Sequence, residues 1–207
     1  MPDLNKTYLF RMTHVENIPH ILRYGITHSK SANFNPNFVP IGDKSLISTR
    51  NNITLSNGKL LGEYIPFYFG VRTPMLYVVQ KGFNAVAPTN PENIVYCVTS
   101  VQKIIDCNLN FVFTNGHAVD GFTSEFTNQD ITNLDQILDW DAIKAKYWQN
   151  ENDLDLKRRK EAEFLVLGDI PVKAILYYLV YNQTSKDKII SYGADGALVH
   201  INPNYYF

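Results

Sequence analysis

Apolar residues occur along the chain mainly in short runs bounded by polar turn residues, a pattern typical of β-strands. The runs lie at residues 8–10, 64–70, 75–79, 94–99, 111–113, 163–167, 174–181 and 197–201. Helical spacing occurs before Gly25, after Ser100 and within residues 134–148. Since strands and helices do not alternate strictly, the pattern predicts an α+β fold with a central, mainly antiparallel sheet and flanking helices.

Residues 13–59 contain two further local signals. Thr13 and Glu16 have the spacing of a capping box, which predicts that the first helix begins there. Residues 28–59 are rich in Asn, Ser, Gly and Pro and show little periodicity, so we expect a loop. A loop of that length within a compact domain indicates a functional role.

The chain has 207 residues, of which 45% are hydrophobic and 19% are charged. A chain of this size can bury a sizeable core, so we expect a single domain spanning residues 1–207. The 19 Lys and Arg residues against 20 Asp and Glu residues give a net charge of −1. This balance excludes a globally basic nucleic-acid binder but leaves room for a local basic strip.

Several other classes of protein find no support in the sequence. It contains no Walker-type or dinucleotide-binding glycine loop, no HExxH and no GxSxG. Cys97 and Cys107 form neither a metal-ligand pattern nor a disulfide framework, so we expect no metal and a reducing compartment. No apolar segment has the length of a signal peptide or a membrane span, and we expect a cytoplasmic protein without membrane contact.

Two glutamates lie at the start of the predicted strand at residues 163–167. Glu161 and Glu163 are two residues apart, and residues at that spacing share one face of a strand. Both carboxylates could therefore point into one cleft. Alternatively, they form an ordinary solvated pair at the edge of an element.

The densest run of positive charge lies directly before these glutamates, at residues 157–160. Together with Tyr147 and Trp148 it combines phosphate-attracting charge with stacking rings, as single-stranded nucleic-acid sites do. The alternative is a solvated charged face. Arg50 and Arg72 are either surface cations or anion clamps for a diphosphate, and the scattered histidines lack metal-ligand spacing.

Several segments, taken in order, resemble one protein family. They are residues 10–14, 64–69, 72–77, 111–114 with His117, and 162–166. The blocks PFYF, RTPML and AEFLV are the most specific of them. The segments are similar to the DarT family, DNA ADP-ribosyltransferase toxins of bacterial toxin–antitoxin systems. The resemblance extends from residue 8 to residue 207.

The resemblance implies a diverged ADP-ribosyltransferase fold that splits NAD⁺ between nicotinamide and ribose. The ADP-ribose would then be placed on a base of single-stranded DNA, typically thymidine within a short preferred motif, which blocks replication. A sister branch of the family modifies guanosine. The resemblance also implies a macrodomain antitoxin as the protein partner, and we expect the enzyme to be a monomer.

The resemblance assigns roles to individual residues. Glu163 takes the position of the catalytic glutamate, which stabilises the positive charge that builds on the ribose. Arg50 takes the position of the second catalytic residue. Because arginine is a poor base, we expect it to clamp the diphosphate and to stabilise a developing base anion. The positions that match NAD⁺ contacts are Arg11, Met12, Thr13, His20, His28 and Arg50. Arg11 stands where some members have a histidine.

The DNA contacts of the family correspond to three stretches of this chain. They are Arg72, Thr73, Pro74, Met75, Leu76, Tyr77, Lys146, Tyr147, Trp148, Gln149, Lys157, Arg158, Arg159, Lys160, Glu161 and Ala162. Glu161 is expected as a DNA-side contact rather than a second catalyst. His117 lies where the family has a histidine beside the cleft, with either a structural or a nucleotide-contacting role. Residues 28–50 would form a lid over NAD⁺ that also faces the DNA.

Other functions remain open at this point. A catalytically idle nucleic-acid-binding module would keep the basic and aromatic surface but would need neither Glu163 nor Arg50. A transferase acting on guanosine in DNA, or on a protein or RNA acceptor, would keep both residues and differ on the acceptor side.

Overall fold

The computed structural model of this chain describes residues 2–207, apart from the side chain of Lys44. The strands are β1 (Tyr8–His14), β2 (Tyr64–Tyr68), β3 (Ile94–Ser100), β4 (Phe111–Thr114), β5 (Glu125–Phe126), β6 (Glu163–Leu167), β7 (Tyr177–Val180) and β8 (Val199–Ile201). The α-helices are α1 (Ile18–Tyr24), α2 (Lys44–Arg50), α3 (Pro74–Lys81), α4 (Val101–Asp106), α5 (Leu134–Ile137), α6 (Trp140–Lys144), α7 (Leu156–Lys160) and α8 (Gln183–Ser191). Short 3-10 helices lie at Val15–Asn17, Leu61–Glu63, Pro91–Asn93, Asn128–Asn133, Val172–Ala174, Gly196–Leu198 and Pro203–Tyr205.

Across residues 2–207 the eight strands form one sheet in the order β5-β4-β6-β2-β1-β3-β7-β8. Neighbouring strands are antiparallel except β7 and β8, which are parallel. Helices pack on both faces of the sheet. The predicted α+β fold with a mainly antiparallel sheet is therefore confirmed.

Strand β3 lies between two layers of apolar side chains, and all seven of its residues are buried. Because side chains alternate between the faces of a strand, Val95 and Cys97 pack in the larger core with residues of α1 and α4. Ile94, Tyr96 and Val98 pack on the opposite face with residues of α3. A strand covered on both faces has a continuous apolar sequence, which is why β3 was predictable.

The sheet parts between β1 and β2. Within the described residues, Phe10 and Tyr68 are the one residue pair that joins these strands, whereas β1 pairs with β3 along its whole length. Pro66 lies within β2, and proline has no N–H to contribute to a strand ladder. The side chain of Arg11 crosses the gap instead, and its Nη1 donates to the Pro66 carbonyl at 2.9 Å. A cleft therefore opens near the centre of the sheet.

The predicted strand at residues 75–79 is wrong, because these residues belong to helix α3. Thr73 caps the helix by accepting a hydrogen bond from the Leu76 N–H, and Pro74 lies in its first turn. Gly82 ends the helix with a φ of 77°. These start and stop signals outweigh the β-propensity of the apolar run.

The helix predicted at residues 134–148 is two short helices, α5 and α6. Leu138 has extended backbone after α5, and Asp139 then caps α6 by accepting the Ala142 N–H at 2.9 Å. Residues 145–149 continue as irregular chain. The interruption follows from the preference of aspartate for the start of a helix over its interior.

The predicted loop at residues 28–59 contains helix α2, which its polar composition conceals. Asp43 caps this helix by accepting the N–H and the hydroxyl of Ser45 at 2.8 and 2.6 Å. Hydrogen bonding from Ser45 lowers the pKa of the Asp43 carboxyl, so that the carboxyl is ionised and carries its negative charge at the helix start. The cap therefore sets where α2 begins and how it presents Arg50, its last residue.

The capping box predicted at Thr13 and Glu16 does not form, because β1 continues through His14. The His14 ring accepts the Glu16 N–H instead, and α1 begins at Ile18. Gly25 ends α1 with a φ of 80°, as the sequence predicts. Thr13 therefore remains on the strand, where it lines the cleft.

The other predicted strands are present, with some ends displaced. Strands β3, β4 and β6 agree with the prediction to within one residue at each end. Strands β7 and β8 are shorter than predicted, because 3-10 turns take up the first residues of both apolar runs. The two-residue strand β5 has no sequence signal of its own.

The segment that follows α1 is fastened to the sheet by Asn17, which is buried. The Asn17 Nδ2 donates to the Val39 carbonyl at 2.9 Å and to the Thr13 hydroxyl at 3.0 Å. The Asn17 Oδ1 accepts the Val39 N–H at 2.8 Å. One side chain thus satisfies both backbone groups of Val39 and sets the course of the predicted lid.

We predict that Asn17→Ala lowers the free energy of unfolding by about 1–2 kcal/mol, because both backbone groups of Val39 lose their partner. Urea denaturation measures this change. Asn33→Ala is the matched control, since Asn33 is exposed and its side chain makes no hydrogen bond within the described residues. Equal stability of the two variants would contradict the role given to Asn17.

Candidate active site

The Glu163 carboxylate lies beside the cleft, 1% exposed, enclosed by side chains that line it. Glu163 begins β6 and pairs with Tyr68 of β2. Its Oε2 accepts a hydrogen bond from Arg50 Nη1 at 2.8 Å, and its Oε1 accepts the Ala118 N–H at 2.9 Å. His117 Nε2 lies 3.9 Å from Oε1. A cation on one oxygen and a backbone amide on the other hold the carboxylate in one orientation.

The backbone that supplies the Ala118 amide is held by Thr114, which is buried at the end of β4. The Thr114 hydroxyl donates to the Gly116 carbonyl at 2.7 Å and accepts the Glu163 N–H at 3.2 Å. A Cβ on Gly116 would lie 2.4 Å from Nη1 of Arg158, so a larger residue here would displace the Arg158 side chain that packs on the turn. Thr114 thus connects the turn to the backbone of Glu163, and the turn in turn supplies the Ala118 amide that binds the Glu163 carboxylate.

Arg50 reaches the cleft from the last turn of α2, 113 residues from Glu163 in sequence. Its Nη2 atom is buried and has no hydrogen-bond partner among the described residues. An unpartnered buried donor costs free energy, and a guanidinium does not shed its charge in a protein. Arg50 therefore offers a hydrogen-bond donor and a positive charge to a ligand in the cleft.

The cleft consists of two adjoining cavities. One, of about 230 Å³, extends toward α1. The other, of about 310 Å³, extends to Arg50 and His117. Arg11, Thr13 and His28 line both cavities. The combined space is elongated, with Arg11 near its middle and Arg50 in its second half.

The residues predicted to contact NAD⁺ all line these cavities. They are Arg11, Met12, Thr13, His20, His28 and Arg50. Burial lowers the pKa of Arg11, and the nearby charge of Arg50 adds to the lowering, although arginine stays protonated at neutral pH. The structure thus brings together in one space side chains that are far apart in sequence.

The two histidines predicted to contact NAD⁺ are positioned by hydrogen bonds of their rings. His28 Nε2 lies 2.8 Å from the Gly62 carbonyl, and His20 Nε2 lies 3.2 Å from the Thr27 hydroxyl. Asp169 accepts the His28 N–H at 2.7 Å. This bond fastens the start of the predicted lid at a second point, opposite the one made by Asn17.

The predicted DNA contacts fall into separate regions, of which the first is an aromatic cluster. The rings of Tyr77, Trp148 and Phe207 meet edge to face, with centroids 5.2–5.7 Å apart. The Arg72 guanidinium lies 4.4 Å from the centroid of the Phe207 ring. Exposed predicted contacts continue from this cluster at Lys146, Tyr147 and Gln149. Phe207 belongs to the cluster although the sequence did not single it out.

The basic run at residues 157–160 carries less available charge than its sequence indicates. Arg158 is paired with Asp155 at 2.6 Å. Arg159 contacts three aspartates, Asp139, Asp153 and Asp155. These pairs raise the pKa of both arginines and occupy their donors. The expectation of a strip of free cations is therefore corrected, because the aspartates nearby already neutralise its middle.

The two lysines of the run lie in opposite environments. Lys160 is buried, and its ammonium donates to the Ile143 carbonyl at 3.2 Å and the Ala145 carbonyl at 2.6 Å. Burial lowers the pKa of Lys160 to about 8. Lys157 is exposed and makes no ion pair among the residues that the structure describes. Lys157 is thus the member of the run that is available to a phosphate.

Four more of the predicted DNA contacts are buried and do not reach the surface. They are Thr73, Pro74, Leu76 and Ala162. Thr73 and Pro74 start helix α3, whose exposed side carries Tyr77. Met75 lines the second cavity of the cleft. The four buried residues position the neighbouring residues that do reach the surface or the cleft.

Tyr68 belongs to the site, although sequence reasoning did not assign it a role. It faces the cleft from β2, beside Glu163. Burial and the negative charge of Glu163 raise the pKa of the Tyr68 hydroxyl well above its ordinary value, so it stays protonated. Its place within the PFYF block was the available signal. The Ala118 amide had none, since any residue type supplies a backbone N–H.

Within residues 2–207, no group of three or more His, Cys, Asp or Glu side chains could hold a metal ion. None of the helices that the structure describes is long and apolar enough to cross a membrane. Cys97 and Cys107 are free thiols. Burial raises the pKa of Cys97 to about 12, which makes it unreactive.

Known proteins share this fold. The structure of Thermus sp. 2.9 DarT in complex with ADP-ribosylated ssDNA is similar with a TM-score of 0.85 and 30% sequence identity, covering 100% of this chain and 98% of that one. The same Thermus protein in complex with NAD⁺ has a TM-score of 0.80 and 29% identity, covering 100% and 99% of the two chains. This similarity, which extends over the whole chain, makes the protein an ADP-ribosyltransferase.

Sequence comparison places the chain within that class. The family model described as "ssDNA thymidine ADP-ribosyltransferase, DarT" matches residues 10–207, and the chain belongs to this family. A Thermus sp. (strain 2.9) protein named DNA ADP-ribosyl transferase is 33% identical over 188 residues, which is 89% of this chain and 86% of the relative. A Thermosipho africanus protein, named as a fusion of a DNA ADP-ribosyl transferase and a DNA ADP-ribosyl glycohydrolase, is 28% identical over 160 residues. That alignment covers 76% of this chain and 38% of the fusion.

We predict that Arg50→Met lowers the free energy of unfolding by roughly 3 kcal/mol, because it leaves the buried Glu163 charge without its cation. The double variant Arg50→Met/Glu163→Gln should recover part of this loss, since a neutral amide needs no counter-charge. Urea denaturation of the wild type, both single variants and the double variant provides the comparison. A double variant no more stable than Arg50→Met would show that the two side chains are not coupled.

Proposed function

We propose that this protein splits NAD⁺ between nicotinamide and ribose and transfers the ADP-ribose to a thymine base of single-stranded DNA. The observation that carries the proposal is the Glu163 carboxylate, buried beside the cleft and held by Arg50 and the Ala118 amide. A nucleic-acid-binding module has no use for a buried charge pair of this kind. Family membership over residues 10–207 supports the same activity.

Glu163 acts on the ribose. As the bond between ribose and nicotinamide breaks, positive charge builds on the ribose, and a carboxylate near the 2′-hydroxyl stabilises that charge. Because Arg50 and Ala118 fix the carboxylate beforehand, little reorganisation is needed during the reaction. Tyr68 lies alongside with its hydroxyl protonated, so it can donate a hydrogen bond without adding negative charge.

The cleft fits NAD⁺ in shape and in charge. Its two adjoining cavities form an elongated space suited to a dinucleotide. Arg11 and Arg50 supply positive charge for the diphosphate, and the unpartnered Nη2 of Arg50 has a donor to give. Thr13 and His28 line both cavities and are placed to contact the ligand along its length.

Single-stranded DNA is the acceptor that the surface favours. The aromatic cluster of Tyr77, Trp148 and Phe207 offers rings for stacking, with Arg72 adjoining it. Lys157 offers a charge to the phosphate backbone. The description of the family model supports thymidine over guanosine, and nothing in the described residues favours a protein or RNA acceptor.

The similarity to known relatives also supports a particular protein partner. A transferase fused to a DNA ADP-ribosyl glycohydrolase in Thermosipho africanus supports an enzyme of that kind, a macrodomain antitoxin, as the partner that reverses the modification. We further propose that the enzyme acts as a monomer. Its substrates, NAD⁺ and DNA, support action in the cytoplasm.

We predict that wild-type protein adds the mass of one ADP-ribose to an oligonucleotide with a single thymidine, and that Glu163→Gln adds none. The reason is that the amide cannot stabilise positive charge on the ribose. Mass spectrometry of the oligonucleotide after incubation with NAD⁺ measures the transfer. Asp106→Asn, which changes an exposed carboxylate on α4 away from the cavities, serves as the control and should transfer normally. Transfer by Glu163→Gln at the wild-type rate would refute the catalytic assignment.

We predict that Lys157→Gln weakens binding of single-stranded DNA and reduces the slope of log affinity against log salt by about 0.7, the value for one phosphate contact. Fluorescence anisotropy with a labelled oligonucleotide at several salt concentrations measures both quantities. Lys6→Gln removes an exposed lysine that pairs with Asp3, and it should leave the slope unchanged. An unchanged slope in Lys157→Gln would remove this residue from the interface.

A further inference from the structure

A third cavity lies on the other side of His117 from the proposed NAD⁺ site. Its volume is about 360 Å³, and His117 lines both this cavity and the second cavity of the cleft. We call it the acceptor groove. Its lining residues are His117, Asp120, Phe122, Leu154, Asp155, Lys157, Arg158 and Glu161. The groove is therefore adjacent to the second cavity of the cleft, with His117 between the two.

Glu161 is the unusual member of this lining. Its side chain is 4% exposed, and its carboxylate makes no hydrogen bond or ion pair among the residues that the structure describes; the carboxylate oxygens are the part of the residue that opens onto the groove. Buried carboxylates are normally bound to donors, because removal from water without compensation is costly. Glu163, two residues later, has two such donors. A carboxylate that opens onto a groove and is engaged by no protein donor is free to accept a hydrogen bond from a ligand in that groove.

The walls of the groove suit a flat ring. Phe122 is 88% exposed and Leu154 is 90% exposed, both unusually high for large apolar side chains. An aromatic ring and an aliphatic side chain facing one groove can stack on a base that leaves its strand. Lys157 on the same groove can meet the adjoining phosphate. A nucleobase is therefore the occupant that the shape and the charge of the groove favour.

From this geometry we infer that Glu161 accepts the N3 proton of the acceptor thymine during transfer. The inference rests on the proposed function and extends it. Thymine in a nucleoside has a single N–H group, at N3, so a base seated in the groove has one donor to offer. The Glu161 carboxylate opens onto that groove without a protein donor, and Glu163 remains committed to the ribose.

The step balances with the groups already named. The N3–H bond breaks, and its proton passes to a carboxylate oxygen of Glu161. The electron pair on N3 forms the bond to C1′ of the ribose. The bond from C1′ to nicotinamide breaks, and its electron pair leaves with nicotinamide, which becomes neutral. No oxidant, reductant or further reactant is needed.

Glu161 suits this task better than Arg50. A guanidinium is protonated throughout the working range and has no lone pair to accept a proton. Burial raises the pKa of Glu161, which makes its carboxylate a stronger base than an exposed one. The charged and titratable groups around Glu161 are His117, Asp120, Asp155, Lys157, Arg158, Lys160 and Glu163. Arg50 keeps its electrostatic role beside Glu163.

The first test is the steady-state kinetics of Glu161→Gln with NAD⁺ and an oligonucleotide containing one thymidine. We expect kcat to fall about 100-fold or more, as for loss of a general base, whereas KM for the oligonucleotide does not rise. The removal of a negative charge near DNA opposes any rise in KM. Glu161→Asp, which keeps a carboxylate, should retain more activity than Glu161→Gln. The control Asp106→Asn, which changes an exposed carboxylate on α4 away from the cavities, should match the wild type.

The second test changes the acidity of the acceptor instead of the enzyme. Oligonucleotides with one 2′-deoxyuridine or one 5-fluoro-2′-deoxyuridine carry the same N3 proton, which is more acidic in the fluorinated base. If Glu161 accepts that proton, the defect of Glu161→Gln is smaller on the fluorinated base, because the proton leaves with less help. A structural role predicts the same defect on both bases, and that result would overturn the inference.

The results of these experiments distinguish a failure of the role given to Glu161 from a failure of the proposed transferase activity. If the wild type modifies DNA and Glu161→Gln does so at the same kcat, the inference fails and the proposed function stands. If Glu161→Gln raises KM for the oligonucleotide at unchanged kcat, Glu161 is a binding contact and the inference again fails. If the wild type modifies no oligonucleotide, the proposed function fails and the inference fails with it.

Discussion

The buried charge of Glu163 is the constraint on which the rest of the site depends. A carboxylate removed from water is stable only when donors hold its oxygens, and here they are Arg50 and the Ala118 amide. To bring Arg50 across 113 residues of sequence, the chain between α1 and β2 folds over the sheet. Asn17 and Asp169 fasten that segment. The same ion pair therefore organises the fold and orients the reactive group.

The gap between strands β1 and β2 creates the cleft in which a substrate can reach the Glu163 carboxylate. Strands β1 and β2 share one residue pair, and the space that opens between them takes the elongated shape of the cleft. His117 stands between that cleft and the acceptor groove. A donor substrate and a base can thus approach the same carbon from two sides, with Glu163 serving one and Glu161 the other. The two carboxylates share a short stretch of chain but have opposite surroundings, which suits them to different roles.

The sequence predicts those parts of the molecule whose signals are local. The continuous apolar run of β3, the cap at Ser100 and the strand that begins at Glu163 all agree with the structure. Residues 75–79 were misread because an apolar run of five residues fits a strand as well as a helix, and the caps at both ends decide between the two.

The basic run at residues 157–160 was misread for a different reason. Asp153 and Asp155 directly precede the run and were visible in the sequence, but the run was considered without them; Asp139 comes from another segment, and its pairing with Arg159 appears only when the chain is folded. The family resemblance gave the positions of Glu163 and Arg50, but not the amide that holds the carboxylate.

The most direct measurement is a crystal structure of the protein with an NAD⁺ analogue whose bond to nicotinamide cannot be split. The account predicts the 2′-hydroxyl of the nicotinamide ribose within hydrogen-bond distance of the Glu163 carboxylate. It also predicts the diphosphate or the nicotinamide amide against Nη2 of Arg50, with the acceptor groove beyond His117 left open. An analogue bound in the acceptor groove, or a ribose directed away from Glu163, would contradict the central claim that this buried carboxylate drives the cleavage of NAD⁺.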